Sequence, residues 1–268
     1  MRGGRLVAFI VRDFLQEYSY RLNFGLQVFG VVASLTLWYF VGSLFAQAPQ
    51  LAARLGGMDY FSYSVIGIAF LRYLSTLLST FARKVRQEQT TGTLEAMLVT
   101  PNRTSILVLY SSAWDVTSAS LWILAWLVLG RLFGAGFQMP APGPTVLLLV
   151  LVMLAFASIG ILSAGMVIYF KRGDPLGWVV SSGSALLGGV FFPPSVLPEP
   201  LAAASSWLPI THAVDGFRAL IVGGAGLDRI AGHLVFLAVF SALALPLGLA
   251  LFHLALRRAR LEGSLIQY

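Results

Sequence analysis

The sequence predicts an all-α membrane protein that crosses the bilayer six times as a single unit. Three observations predict it. The 268 residues are 57% hydrophobic and only 11% charged, less than half the charged share of an ordinary soluble domain, and the mean hydropathy is +0.82. The apolar residues fall in blocks of about 20, the length a helix needs to cross roughly 30 Å of hydrocarbon. The basic residues gather in alternate connecting segments. A soluble enzyme, a disordered tail and a disulfide-stapled secreted domain are excluded, the last because the chain has no cysteine. The net charge of +7 fits lysines and arginines retained on one face of a membrane, so membrane lipids are expected around the chain and no nucleic-acid partner.

Residues 1–24 read as an amphipathic helix lying along the inner leaflet. Val7, Ile10, Val11, Phe14 and Tyr18 share one helical face, while Arg5, Arg12, Asp13, Gln16 and Glu17 lie mostly on the other. A cleaved leader does not fit, because the apolar run Leu6 to Val11 is short and meets Arg12 and Asp13 at once. The predicted spans follow at 25–46, 61–82, 105–130, 145–170, 176–192 and 230–256. Thirteen Lys and Arg fall on the side carrying both termini and four on the other, with Arg72 left inside span two. Both termini are therefore expected in the cytoplasm of a multi-pass protein of the cell (inner) membrane.

Span five is short, at about 25 Å of helix, and ends in Phe191-Phe192-Pro193-Pro194. Residues 193–222 are too apolar for a solvated loop. Two short helices broken by prolines, dipping into the outer leaflet, suit them, and irregular backbone at that depth needs protein or a water-lined path beside it. Asp174 before Pro175 is placed to cap span five.

Residues 83–101 form the cytoplasmic segment with the most to say. Past Arg83, Lys84 and Arg86, the run from Glu88 reads as a short exposed helix capped by Thr91 or Thr93 and stopped by Pro101. Leu94, Met97 and Leu98 make an apolar patch at i, i+3, i+4, with Glu95 near the positive N-terminal end. Such a knob fits a groove on another protein, or it tucks against the chain's own helices.

Here the sequence resembles the permease subunits of type-2 ABC exporters. The resemblance rests on Glu88, then Gly92-Thr93-Leu94-Glu95, then Thr100-Pro101, with Met97 where the family usually has Leu. A second stretch, Phe192-Pro193, Leu197-Pro198, Pro209 and Arg218, follows span five, with Leu208 and Asp215 where the family more often has Asn and Glu. The likeness covers essentially the whole chain, residues 1–268, as one ABC type-2 transmembrane domain. It implies that residues 83–101 are a coupling helix. Glu88, Gly92, Thr93, Leu94, Glu95, Met97 and Leu98 would then touch a separate cytoplasmic ATPase, assisted by Arg12, Asp13 or Glu17 of the N-terminal helix. It further implies two permeases, a homodimer or a pair with a close paralogue, joined to two ATPases. The path would run at the permease interface, with Trp38, Tyr39, Ser181, Ser182 and Ser184 as candidate lining residues.

The chain's own chemistry is limited. A phosphate-binding loop needs Gly-Lys followed by Ser or Thr, and the two lysines, Lys84 and Lys171, sit in other contexts. ATP and Mg are thus expected only through the partner ATPase, and this chain is expected to bind no cofactor. His212, His233 and His253 lack zinc-site spacing, and Gly-x-Ser-x-Gly does not occur. Arg72 and Asp115 are the ionisable residues expected within spans, where a charge costs about 2.5 kcal/mol or more. A salt bridge between them, aided by Tyr73 or Ser111, is the plainer expectation. The sharper one has Arg72 facing a cavity and meeting an anionic substrate group. The expected function is outward movement of an amphipathic substrate, such as a drug, lipid or lipid-linked glycan. The alternative is a transporter or channel driven by an ion gradient, for which Asp115 is the sole embedded acid on offer.

Overall fold

The structure is a computed structural model and describes residues 11–12, 14–15, 21–45, 53–90, 112–138, 141–170 and 173–261. Its helices are α1 (Arg21–Phe45), α2 (Tyr60–Thr90), α3 (Ala113–Leu132), α4 (Pro142–Phe170), α5 (Pro175–Leu187), α6 (Glu199–Ser205), α7 (Pro209–Ile221) and α8 (Leu227–Leu261), with a 3-10 turn at Pro194–Val196. No strand occurs among the described residues. Among the described residues five helices, α1, α2, α3, α4 and α8, are long and apolar enough to cross a membrane, and the chain is a multi-pass membrane protein. The predicted span five is a helix of 13 residues, about 20 Å long, completed by the turn at 188–193.

At the centre lie α2 and α4. Helix α8 packs along α4, α3 along α2, and α7 wedges between α2, α4 and α8. The main core contains Phe70, Leu74, Phe156, Phe217 and Ile230, all fully buried, and the rings of Phe70 and Phe217 lie 4.5 Å apart. In lipid, apolar side chains gain little by leaving their surroundings, so association depends on close backbone approach and interhelical polar contacts. Small residues supply that approach. A Cβ at Gly160 would strike the carbonyl oxygen of Leu77, one at Gly165 would lie 3.2 Å from the Phe252 backbone, and one at Gly248 would lie 3.0 Å from the Ser158 carbonyl oxygen.

Helix α2 differs from the sequence expectation at one end. Span two was expected to stop at Ala82, yet the helix runs on to Thr90. Val85 explains it: with Phe81 and Ala82 it is buried in a second apolar cluster against Val167 and Ile168 of α4 and Phe252 and Leu256 of α8. The charged residues of this stretch share a helix whose inner face is still core.

The segment after α5 is held from within. Arg218 of α7 is 4% exposed. Its guanidinium donates to the carbonyl oxygens of Gly189 and Tyr63, both at 2.9 Å, and lies 3.4 Å over the Tyr63 ring. Tyr63 in turn donates its hydroxyl to Gly189 at 2.9 Å, and Asp215 stands 3.5 Å from Arg218. Gly67 of α2 faces the same turn, where a Cβ would collide with the Val190 carbonyl. Asp174 caps α5 as expected: its carboxylate accepts from the Gly177 N–H at 2.8 Å and from the Ser163 hydroxyl at 2.5 Å.

Candidate functional site

One large cavity, about 640 Å³, lies between α1, α2 and α3. Helical spacing builds its walls. On α2, Arg72, Tyr73, Thr76, Arg83 and Lys84 come round to one side, and on α3 so do Trp114, Asp115, Ser118, Trp122 and Trp126. Helix α1 adds Leu26, Gln27, Gly30 and Val31. A Cβ at Gly30 would meet nothing within 4 Å, so this glycine leaves room rather than serving a close approach.

The charges are arranged otherwise than expected. Asp115 pairs with Lys84, at 3.4 Å, and not with Arg72. Arg72 instead lies over the indole of Trp126, 5.0 Å from its centroid. That indole is fixed, because its Nε1 donates to the Val65 carbonyl at 3.1 Å. Among the described residues Arg72 makes no ion pair and no hydrogen bond. The physical reason for the correction is reach. Lys84 is twelve residues beyond Arg72, about 18 Å along the helix, and Asp115, in the first turn of α3, meets α2 at that far level. Tyr73 takes Ser120 as its partner at 2.7 Å, and Ser111 lies outside the described residues. A cation over an indole gains roughly 0.5–2 kcal/mol, which falls short of a mid-span charge penalty. Arg72 is exposed and opens onto the cavity, so its guanidinium has room for a further partner.

The remaining candidate path residues lie toward the other end of α1 and along α5. Trp38 stacks on Phe191 with centroids 5.4 Å apart. Tyr39 is exposed and meets Phe61 edge-on. Ser181 bonds Ser75 of α2 at 3.0 Å, Ser182 is half-buried, and Ser184 is buried. The structure thus brings Arg72 together with the indoles of α3 and leaves the other five elsewhere. Trp114, Trp122 and Gln27 were missed as cavity residues. The signal was present in the spacing, since Trp114, Ser118, Trp122 and Trp126 recur every fourth residue along one helix face.

Of the expected docking residues, Arg12 is helical and exposed. Its neighbour Phe14 meets Trp114 edge-on at 5.2 Å, which sets this segment beside the start of α3. Glu88 lies in the last turn of α2, with its side chain outside the described part. Asp13, Glu17, Gly92, Thr93, Leu94, Glu95, Met97 and Leu98 lie outside the described residues, as do the expected caps Thr91 and Thr93.

Five long apolar helices with a partly polar cavity among α1, α2 and α3 make this a polytopic helical membrane protein. A family model described as "ABC-2 family transporter protein" matches residues 46–250, and the chain belongs to that family: it is a membrane permease subunit of an ABC transporter. It is similar to Nodulation protein J of Rhizobium leguminosarum bv. trifolii, with 28% identity over 224 residues, covering 78% of this chain and 79% of that protein. Membership implies association with a nucleotide-binding ATPase subunit.

Proposed function

We propose that this chain is the permease of an ATP-driven exporter that moves an amphipathic substrate outward across the cell (inner) membrane. Both termini face the cytoplasm in this reading, which the thirteen-to-four bias of basic residues supports. Two copies, or one copy and a close paralogue, pair with two ATPase subunits. ATP and Mg act in those subunits alone, since neither lysine of this chain lies in a phosphate-binding loop. Closure of the ATPases draws the 83–101 segments together, and the permeases rock as rigid bodies to open their interface outward. A drug or lipid-like cargo suits the apolar bulk of the spans.

The observation that carries this reading is the run Glu88, Gly92-Thr93-Leu94-Glu95 and Thr100-Pro101 in a chain of ABC-2 family membership. The gradient-driven alternative needed an embedded acid free to take up a proton or sodium ion. Asp115 stands in the first turn of α3 beside Lys84, which disfavours it. The test is co-purification of an ATPase subunit with the wild-type chain and with Glu95→Arg. Loss of the subunit in the variant is expected; an intact complex would overturn the docking assignment.

A further inference from the structure

We propose that the cavity between α1, α2 and α3 is a binding site, complete within one subunit, for an anionic amphiphile whose phosphate-type headgroup engages Arg72. The inference deepens the export reading and rests on it for the view that the occupant is cargo. Among the described residues three cations, Arg72, Arg83 and Lys84, line the cavity against one carboxylate, Asp115. Lys84 and Asp115 face each other at 3.4 Å, which leaves Arg72 and Arg83 as the positive charges of the described lining that no described carboxylate faces. Arg83 makes only a 3.5 Å bond to the Thr80 hydroxyl among the described residues. Arg72 sits midway along the Tyr60–Gln87 span, over Trp126. A guanidinium carries five N–H donors in a planar fork that matches a tetrahedral oxyanion, and here none of the five is taken by the described protein. An oxyanion supplies both the counter-charge and the acceptors.

The walls select an amphiphile over a free ion. Trp122, Trp126, Leu26 and Val31 enclose the same space, and indoles favour a ligand with one apolar and one polar end. Helices α1 and α3 are bridged beside it by the Phe24–Trp122 ring pair, with centroids 5.6 Å apart. Leu26 and Phe29 are exposed along that seam, a route by which acyl chains extend from the cavity into surrounding lipid while the headgroup stays on Arg72.

The test uses the purified full-length chain in neutral detergent, without nucleotide, followed by tryptophan fluorescence. It is titrated with monomeric dioctanoyl phosphatidate, with dioctanoyl phosphatidylcholine and with inorganic phosphate. Saturable binding of phosphatidate is expected, at least tenfold tighter than either control. Arg72→Gln weakens it tenfold or more, equivalent to about 1.4 kcal/mol, whereas Arg72→Lys stays within a few-fold of wild type. Gly30→Leu fills the cavity from a position with open space around it, and weakens binding similarly. If Arg72→Gln does not fold, Gly30→Leu and Arg72→Lys decide. Equal affinity for phosphatidylcholine, equal affinity for inorganic phosphate, or undiminished binding by Gly30→Leu would each overturn the site. Binding is read without an ATPase or transport, so a failed Glu95→Arg test leaves this result standing, and the reverse holds too.

Discussion

Arg218 shows how much one side chain holds in this molecule. Its guanidinium joins the backbone of α2 at Tyr63 to the turn at Gly189 and Val190, and its charge is balanced mainly by the Tyr63 ring and a half-buried Asp215. Arg218→Leu would remove the guanidinium donors from the Tyr63 and Val190 carbonyls and leave the Gly189 carbonyl to the Tyr63 hydroxyl, at a buried position. A loss of about 3 kcal/mol follows, and a lowered midpoint of thermal unfolding in detergent checks it. Lysine, with one compact ammonium, cannot span both carbonyls and face the ring, so Arg218→Lys recovers only part of that loss. At this scale the sequence is least informative. Arg72 and Asp115 stood out as embedded charges, yet their partners depend on which turns of α2 and α3 come level. No local pattern carries that information, and Asp115 meets Lys84.

Elements were far more legible, and the exceptions have definite causes. The spans show as apolar blocks because a bilayer imposes length directly. The end of α2 was misplaced because a window that averages over charges cannot register one buried face: Val85 is core while Arg86 and Gln87 are exposed. The start of α5 was readable because Asp174-Pro175 is itself the capping device. Its carboxylate satisfies the Gly177 N–H and receives the Ser163 hydroxyl, tying α5 to α4. Asp174→Ala is therefore expected to cost about 1 kcal/mol for the cap, and Asp174→Asn less. Thermal unfolding of the two variants against wild type measures the difference, and equal midpoints for all three would show that the cap contributes nothing.

For the whole molecule, architecture and family followed from composition, spacing and one cytoplasmic motif, while of the cavity only Arg72 and the one-faced row of α3 indoles left a trace in the sequence. Its walls come from three helices, and only their packing reveals that Gln27, Arg72 and Trp122 face one space. Much of α1 and α8 is apolar and exposed, including Leu22, Phe29, Leu243 and Leu247, the surface that lipid or a second permease must cover. The prediction at this scale concerns energy supply. Reconstituted alone into liposomes under a proton or sodium gradient, the chain is expected to accumulate no amphipathic solute; accumulation would overturn the ATP-driven reading.

The clamp made by Arg218 and Tyr63 also joins three separate stretches of the chain into one fastened piece. Gly189 is bonded to Tyr63 of α2 and to Arg218 of α7, and Arg218 reaches Val190 and the Tyr63 backbone as well, so the turn after α5, α7 and the Tyr60 half of α2 are held to one another. A glycine stands at each margin of this piece. Gly173 at φ 66° and Gly224 at φ 56° both adopt the left-handed backbone that glycine enters without strain. One precedes α5 and the other follows α7, so the fastened piece is entered from α4 and left toward α8 through turns that a side chain with a Cβ would strain.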